Sequence, residues 1–560
     1  MATTWDRGAG TVGKVRRTYR DFQEHLAALD EAGLVRTIEQ PFNKDTEMHP
    51  LVRWQFRGGI PEPDRKAFLF TNVTCSLGRD YGLPVAVGAL AANREIYRIG
   101  MGVASLDDVG PAWDRAIANP VRPVEVPSDA APCHEVVIEG TALEGDTKGL
   151  DALPLPISTP GFDSAPYFTA TGCVSRDPDT GTQNMGTYRC GLKASNRIAV
   201  RMSARAGGAE GHVHWKKYKA RGEKMPFAIV LGCPPAVAYC APQKLRMGLD
   251  EVAVAGGIVG GPINVVRCRT NDLLVPAESE LVVEGWIDPE YVEPEAPFGE
   301  SHGHIALEAY NNIMHVTAIT RRSNAVVASI ISQVTPSESS VIKRVAYEPL
   351  WLAHLRDHLG IKGVKRVSMH EPLTNIRRVL FVVVDRAMPR TEIWRALYGA
   401  ATLNASVGKY VIAVNEDIDP DNGDAVLWAL SYRANPALDI QILPHRDKGH
   451  GPRSDTRSEG DATMLVDATL KADMPPLALP KREYMERARA LWERLGLPPL
   501  TPEAPWHGYS LGDWSEEWDA MAQRASEGRY LENGRRSAQL RRNDVAPNTS
   551  IRAIPRRDTL

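Results

Sequence analysis

At 560 residues, 43% hydrophobic and 24% charged, the chain is too long for one core and too apolar for a disordered polymer. Its 66 basic and 69 acidic residues leave a net charge of -3, so no chain-wide field draws it to nucleic acid. Seven cysteines, an odd number with no C-x-x-C pair, argue against a disulfide framework and against a cysteine zinc site.

The opening MATTWDRGAGTVGKVRR has no apolar core, and no apolar run approaches the roughly 20 residues of a membrane span. The expectation is a cytoplasmic, multidomain enzyme. Tyr19, Phe22, Leu26 and Leu29 fall at helical spacing over 17–30, with Gly33 placed to close the helix. Short apolar runs at 34–38 and 67–73 read as strands, giving an N-terminal α/β domain over 1–127. Residues 151–166 are rich in Pro, Ser and Gly and read as irregular chain. From 168 to 334 the texture is β-rich, with strand-like runs at 227–232, 263–269, 281–287 and 325–334. Such spacing suits a small barrel or sandwich over 128–335. Beyond Pro336, a strand at 378–385, a helix at 390–401 and a strand at 410–414 form one βαβ unit, followed by a helix at 424–433. These make a C-terminal α/β domain over 336–490. The tail over 491–560 carries Trp506, Trp514 and Trp518 and reads as a docking segment for a partner subunit.

The most informative stretch is PEAPFGESHGH at 294–304. Glu295 and Glu300 stand five apart, about 140° around a helix, and Pro297 lacks the N–H that a helix or inner strand uses. A bent loop presenting two carboxylates is expected, with His302 and His304 close behind. In NMGTYR, Asn184 offers an amide oxygen, Gly186 a tight backbone, and Arg189 a planar fork matched to carboxylate or phosphate. The run 196–209 sets Arg201 and Arg205 beside Gly207 and Gly208, a pattern able to close on an anion. In GHVHW, His212 and His214 would face the same way on a strand, where a metal pair is one reading and a structural role the other. Glu251 with Asn184 supplies hard oxygen ligands suited to Mg²⁺ or Mn²⁺. Lys409 opens the second strand of the βαβ unit, near strand ends that often bind ligands. No P-loop and no H-E-x-x-H occurs, which removes the usual phosphoryl-transfer and zincin readings. One arginine and two glutamates on loops suit binding an acid and moving protons.

Together these segments resemble the UbiD-type reversible decarboxylases, which use prenylated FMN. The resemblance runs from roughly residue 130 to 475 and rests on five segments in order. They are NMGTYR (184–189), MPFAIVLGCPP (225–235), CRTNDLLVPAESELVVEG (268–285), PEAPFGESHG (294–303) and KYVIAVNEDIDP (409–420). It implies a central split β-barrel that binds the flavin and a C-terminal α/β domain for oligomerisation into dimers or hexamers. It also implies roles by position. Glu300 is the proton donor, Glu295 its modulator, and Arg189 the group that orders both. Asn184, Met185, Gly186, Thr187, Tyr188, Arg189, Ala204, Arg205, Glu251 and Lys409 contact the cofactor. Asn184 and Glu251 hold a divalent metal, Mn²⁺ or Mg²⁺, on its phosphate, with K⁺ a further candidate ion. The implied partners are a carboxylic acid substrate, its product CO₂, and a UbiX-type flavin prenyltransferase as supplier of the cofactor.

Loss of CO₂ from an sp² carbon leaves a carbanion that acid–base side chains alone do not accommodate, so an electron-sink cofactor is required. A glutamic acid kept protonated by burial and a neighbouring carboxylate suits return of a proton to that carbon. One departure stands out: by gapless comparison over 196–209, Arg205 occupies the position where the family usually has a metal-binding histidine, so that either His212 or His214 reaches in from the next turn or the guanidinium contacts the phosphate directly. Two competing readings are an oxidoreductase similar to flavin reductases, using plain FMN, and a non-catalytic subunit of a multi-subunit carboxylase. Gln333, Thr335 and Ser337 either line a pocket or form a strand-to-helix turn.

Overall fold

The computed structural model describes residues 17–203, 209–243, 245–246, 248–372, 374, 378–404, 408–447, 460–471, 474–503, 505–508 and 512–554. The chain forms two compact units. The first contains the described residues up to Ala413 together with Pro436–Asp467; the second contains Val414–Asn435 and the described residues from Ala468 onward.

The first unit opens with the helix Phe22–Glu31. Asp21 accepts from the Glu24 N–H while the Glu24 side chain accepts from the Asp21 N–H, and this reciprocal cap fixes where the helix begins. Phe22, His25, Leu26 and Leu29 form its buried stripe. A four-stranded sheet follows in the order Val35–Ile38, Ala67–Phe70, Val85–Val87, Val327–Ser329. The last strand comes from the apolar run expected to serve the central β-rich region. It pairs instead in parallel with Val85–Val87, so the chain returns to its first sheet after completing the central one. Local β-propensity marks such a run as strand but does not choose its partner.

The central sheet has nine strands. Its path is Gln183–Gly186, Thr171–Arg176, Met225–Leu231, Leu281–Glu295, Ala309–Arg321, Arg197–Val200, Cys190–Ala194 and Tyr167–Phe168, with Val136–Glu139 added on Ala309–Arg321. Every pairing in it is antiparallel. The ladder does not close into a barrel among the described residues. Its edge strand Gln183–Gly186 and the strand Cys190–Ala194, next to the far edge, are nevertheless consecutive in sequence. Only Thr187, Tyr188 and Arg189 separate them, and such a link spans at most about 14 Å. The sheet must therefore curl until its ends nearly meet, and Arg189 stands at the seam. Tyr188 ties the seam to Thr171, whose hydroxyl donates to the Tyr188 carbonyl at 2.5 Å.

The sequence GHVHW lies on the helix Glu210–Arg221, not on a strand. His212 and His214 are thus rotated roughly 200° apart instead of facing one way. Gly211, His214 and Tyr218, spaced three and four apart, form the buried stripe that decides this. Further along, the helix Glu338–Ala353 leads into a five-stranded sheet in the order Val364–Met369, Val379–Val384, Tyr410–Asn415, Asp461–Asp467, Ile440–Arg446. The expected strand, helix (Arg390–Thr402) and strand are all present there.

In the second unit, the helix Gly423–Arg433 is pinned by a buried, two-pronged pair from Arg433 to Asp417. The tail contributes the helices Arg482–Arg494, Glu516–Ser526 and Tyr530–Gln539, none of which buries a residue. Trp514 and Trp518 line a shallow apolar cleft with Met521 and Ala522. All seven cysteines are free and buried.

Candidate active site

Glu295 is the last residue of the long strand Leu281–Glu295, so the acidic segment begins on a strand and bends only after it. The bend is at Ala296, whose φ of 83° lies in the left-handed region that costs a non-glycine residue roughly 1–3 kcal/mol. The chain then forms the short strand Phe298–Gly299 and turns so that the Glu300 N–H meets the His304 carbonyl at 3.1 Å. Asp163 accepts from the Gly299 N–H at 3.0 Å, anchoring the turn from below. Burial raises the Asp163 carboxyl above its usual range, against the amide bonds that pull it down.

Arg189 joins the two carboxylates. Its Nε donates to Glu295 Oε1 at 2.9 Å, its Nη2 to Glu295 Oε2 at 2.8 Å, and its Nη1 to Glu300 Oε1. The guanidinium also lies over the Phe298 ring, 5.0 Å from its centre. Glu295 is fully buried and receives two further donors, the Tyr167 hydroxyl at 2.8 Å and the Asn311 amide at 3.0 Å. Burial first, and the Glu295 charge second, raise the Tyr167 phenol far above its ordinary range, so it remains a donor. Glu300 sits nearer the surface, its side chain 15% exposed, and Arg201 Nη1 donates to the same Oε1 at 2.7 Å. The two acids therefore differ: Glu295 is locked by four donors, whereas two guanidinium groups converge on one oxygen of Glu300.

A second cluster forms where Gln183–Gly186 meets the helix Glu251–Val259. Asn184 Nδ2 donates to Glu251 Oε1 at 3.0 Å, and Glu251 Oε2 accepts from the Met185 N–H at 2.9 Å. Burial pushes the Glu251 carboxyl up to about 8, against the pull of that amide. Glu210, first residue of its helix, approaches the same amide at 3.4 Å and is also raised by burial. His214 comes within 3.8 Å of Glu210, but burial pushes it down to about 4, so it stays neutral beside the acid. His212 instead packs against Trp215.

The remaining expected site residues divide. Gly186, Thr187 and Tyr188 lie on the seam with Arg189. Ala204 and Arg205 lie outside the described residues. Lys409 is held by Asp461 at 2.8 and 2.9 Å, and among the described residues no hydrogen bond or ion pair joins it to the Arg189 cluster. Ser337 caps the helix Glu338–Ala353, the turn explanation, while Gln333 is gripped by Arg53 at 2.6 and 2.8 Å. Tyr167, Asn311 and Phe298 escaped the sequence analysis. Their only local signal was proximity to charged neighbours, and the contacts that matter cross the sheet.

Comparison with known proteins decides the family. A model of the 3-octaprenyl-4-hydroxybenzoate carboxy-lyase Rift-related domain, UbiD, matches residues 124–334, and the model of its C-terminal domain matches 340–468. The chain belongs to the UbiD family. UbiD members are decarboxylases, which makes this chain an enzyme of the carboxy-lyase class. Among solved structures it is similar to the UbiD-class enzyme HmfF from Pelotomaculum thermopropionicum in complex with FMN. That match has 27% identity and a TM-score of 0.73, covering 84% of this chain and 100% of the other. An evolved dimeric form of HmfF in complex with prFMN matches at 27% identity and a TM-score of 0.70, over 82% of this chain and 97% of that one. The Sedimentibacter hydroxybenzoicus vanillic acid decarboxylase shares the fold at 23% identity and a TM-score of 0.69, over 86% of this chain and 100% of that one. Two letter matches to other motifs lack their context. GAGTVG at 8–13 follows no strand-like run, and the residues before GYSLG at 508–512 include two prolines. Among the described residues no helix is long and apolar enough to cross a membrane.

Proposed function

We propose that the chain catalyses reversible, non-oxidative decarboxylation of an aromatic, heteroaromatic or α,β-unsaturated carboxylic acid with prenylated FMN. The observation that carries this is Arg189 bridging Glu295 and Glu300 at the seam of the central sheet. When bound, the prenylated flavin supplies the electron sink that departure of CO₂ from an sp² carbon demands. The chain's own residues do the rest. Glu295, saturated with donors, fixes the Arg189 plane; Arg189 orients Glu300; Glu300 delivers the proton to the substrate carbon that has lost CO₂. Because Arg189 and Arg201 both favour a carboxylate at Glu300, proton delivery requires one of these contacts to loosen in the turnover cycle.

The residues fit a phosphate-bearing cofactor with a divalent ion. Asn184 Oδ1 is buried without a hydrogen-bond partner, an orphan acceptor beside a buried carboxylate. A phosphate would be repelled by Glu251 unless a cation stood between them. The backbone and side chains over 184–189 support cofactor contact, as do Ala204 and Arg205 by the family resemblance. Lys409, engaged by Asp461, contributes only if that pair opens. The chain would obtain its cofactor from a flavin prenyltransferase, and the unburied tail helices support assembly into a homo-oligomer. The direct test is to produce the protein with and without such a prenyltransferase and screen aryl, heteroaryl and acrylic acids for CO₂ release. Release confined to the protein made with the prenyltransferase is expected. Equal turnover with plain FMN, or none across the panel, would contradict the proposal.

A further inference from the structure

We propose that Glu210 joins Asn184 and Glu251 to complete a three-oxygen seat for one hard divalent cation, Mg²⁺ or Mn²⁺. The family resemblance points to Asn184 and Glu251 alone and to a histidine where this chain has Arg205. Glu210 is a residue that only the fold brings to the pair.

Three elements converge. Asn184 comes from the strand Gln183–Gly186, Glu251 opens the helix Glu251–Val259, and Glu210 opens the helix Glu210–Arg221. The Asn184 amide nitrogen stands between the carboxylates, 3.0 Å from Glu251 Oε1 and 3.4 Å from Glu210 Oε2. Asn184 and Glu251 are 7% and 5% exposed, so water does little to screen the acids from each other. Among the described residues neither Glu210 nor Glu251 has a lysine or arginine partner. The nearest candidate, Lys217, is taken by Asp177 at 2.6 Å and Asp179 at 2.9 Å.

The second observation is the amide itself. Asn184 Oδ1 is buried and accepts no hydrogen bond, while Nδ2 does a cation's work between two acids. A half-turn of the amide exchanges the two atoms at almost no change in shape. It would bring Oδ1 toward the carboxylates, an arrangement that a positive charge between them favours. A divalent ion relieves the orphan acceptor and balances the two carboxylate charges. Among the described residues no three His, Cys, Asp or Glu side chains cluster as a metal site, so the amide has to be the third donor. An all-oxygen set selects hard ions that keep open positions for water or phosphate oxygens. His214, on the next turn of the same helix, lies 3.8 Å from Glu210, while its Nδ1 meets the Ser175 hydroxyl at 2.9 Å.

The purpose of the ion, bridging to a cofactor phosphate, rests on the function proposed above; its seat does not. The test uses the full-length chain stripped with chelator and titrated with Mn²⁺ alone, with bound ion followed by electron paramagnetic resonance and by the shift in thermal midpoint. One ion per chain is expected, with affinity weakened at least tenfold in Glu210→Gln and in Glu251→Gln, and partly restored in Glu210→Asp. Wild-type affinity in Glu210→Gln, or no ion bound to the wild-type chain, would overturn the proposal. Expected Mn²⁺ binding with no acid decarboxylated would instead count against the function and leave the seat standing.

Discussion

Arg189 grips Glu295 side-on, Nε to Oε1 at 2.9 Å and Nη2 to Oε2 at 2.8 Å, so that the buried carboxylate fixes the plane of the guanidinium. The third nitrogen, Nη1, is thereby aimed at Glu300. This fork needs a planar donor with two parallel N–H groups, and a lysine ammonium supplies neither. Arg189→Lys is expected to lower kcat by at least about 100-fold. It is also expected to destabilise the fold by about 3 kcal/mol, because a buried acid is left with its main partner weakened. Steady-state kinetics and a thermal melt of the same preparation check both parts.

Arg201 Nη1 is a second cation beside Glu300, donating to its Oε1 at 2.7 Å. Removing a cation beside a carboxyl favours the acid form, so the pH at which Glu300 loses its proton rises. Activity that depends on the acid should then persist to higher pH. The expectation for Arg201→Gln is a high-pH limb of kcat displaced upward by about one unit, with the low-pH limb unmoved. A profile superimposable on the wild type would separate Arg201 from proton delivery.

The turn that carries Glu300 depends on a close approach at Gly299. A Cβ there would stand 2.5 Å from Thr159 Oγ1 and 2.7 Å from Gln333 Cγ, and Gln333 is held in place by Arg53. Gly299→Ala should therefore displace Glu300. An activity loss of about 10- to 100-fold is expected, with a stability loss of about 1–3 kcal/mol.

Two buried histidines set the acid limit of the fold. His25 donates from Nε2 to the Ala89 carbonyl at 2.8 Å, its Nδ1 has no partner, and burial pushes it down to about 4. His49, beside Ser329, is pushed down to about 3 for the same reason. The unfolded chain takes up these protons near the ordinary 6.5, ahead of the folded one. Their stabilisation is thus complete above that pH and is lost as pH falls from about 6.5 toward 4, on the order of 3 kcal/mol for His25. His25→Gln, which keeps a donor for Ala89, should unfold at lower pH than the wild type in an acid titration followed by circular dichroism.

Of the candidate site, the segments that carry Arg189, Glu295, Glu300, Asn184 and Glu251 were visible as polar groups among turn residues. Their grouping was implied by the family resemblance, and the structure brings Arg189 to both glutamates and Asn184 to Glu251. The helix Phe22–Glu31 and the strand Met225–Leu231 were equally plain, since their apolar spacing is local. What the sequence hid were long-range choices. Nothing local says that Val327–Ser329 pairs with Val85–Val87, or that three residues at 187–189 span the seam of a nine-stranded sheet. The H-x-H spacing suggested a strand because it was read without Gly211 and Tyr218, whose burial with His214 marks a helix. Glu210 went unnoticed as one more acid at a helix start, a place where acids are common for reasons of helix electrostatics.

The central claim, that Glu300 delivers the proton to the carbon that loses CO₂, is tested most directly by solvent-deuterium exchange. Wild-type enzyme carrying its prenylated flavin is incubated with product in D₂O beside Glu300→Gln, and deuterium at that carbon is followed by mass spectrometry. Glu300→Gln keeps the shape and the donor contacts from Arg189 and Arg201 but has no proton to exchange in this way. The expected result is rapid incorporation by the wild type and a loss of at least about 1,000-fold in the variant, the scale of general acid–base catalysis combined with positioning. Incorporation at the wild-type rate in Glu300→Gln would contradict the assignment.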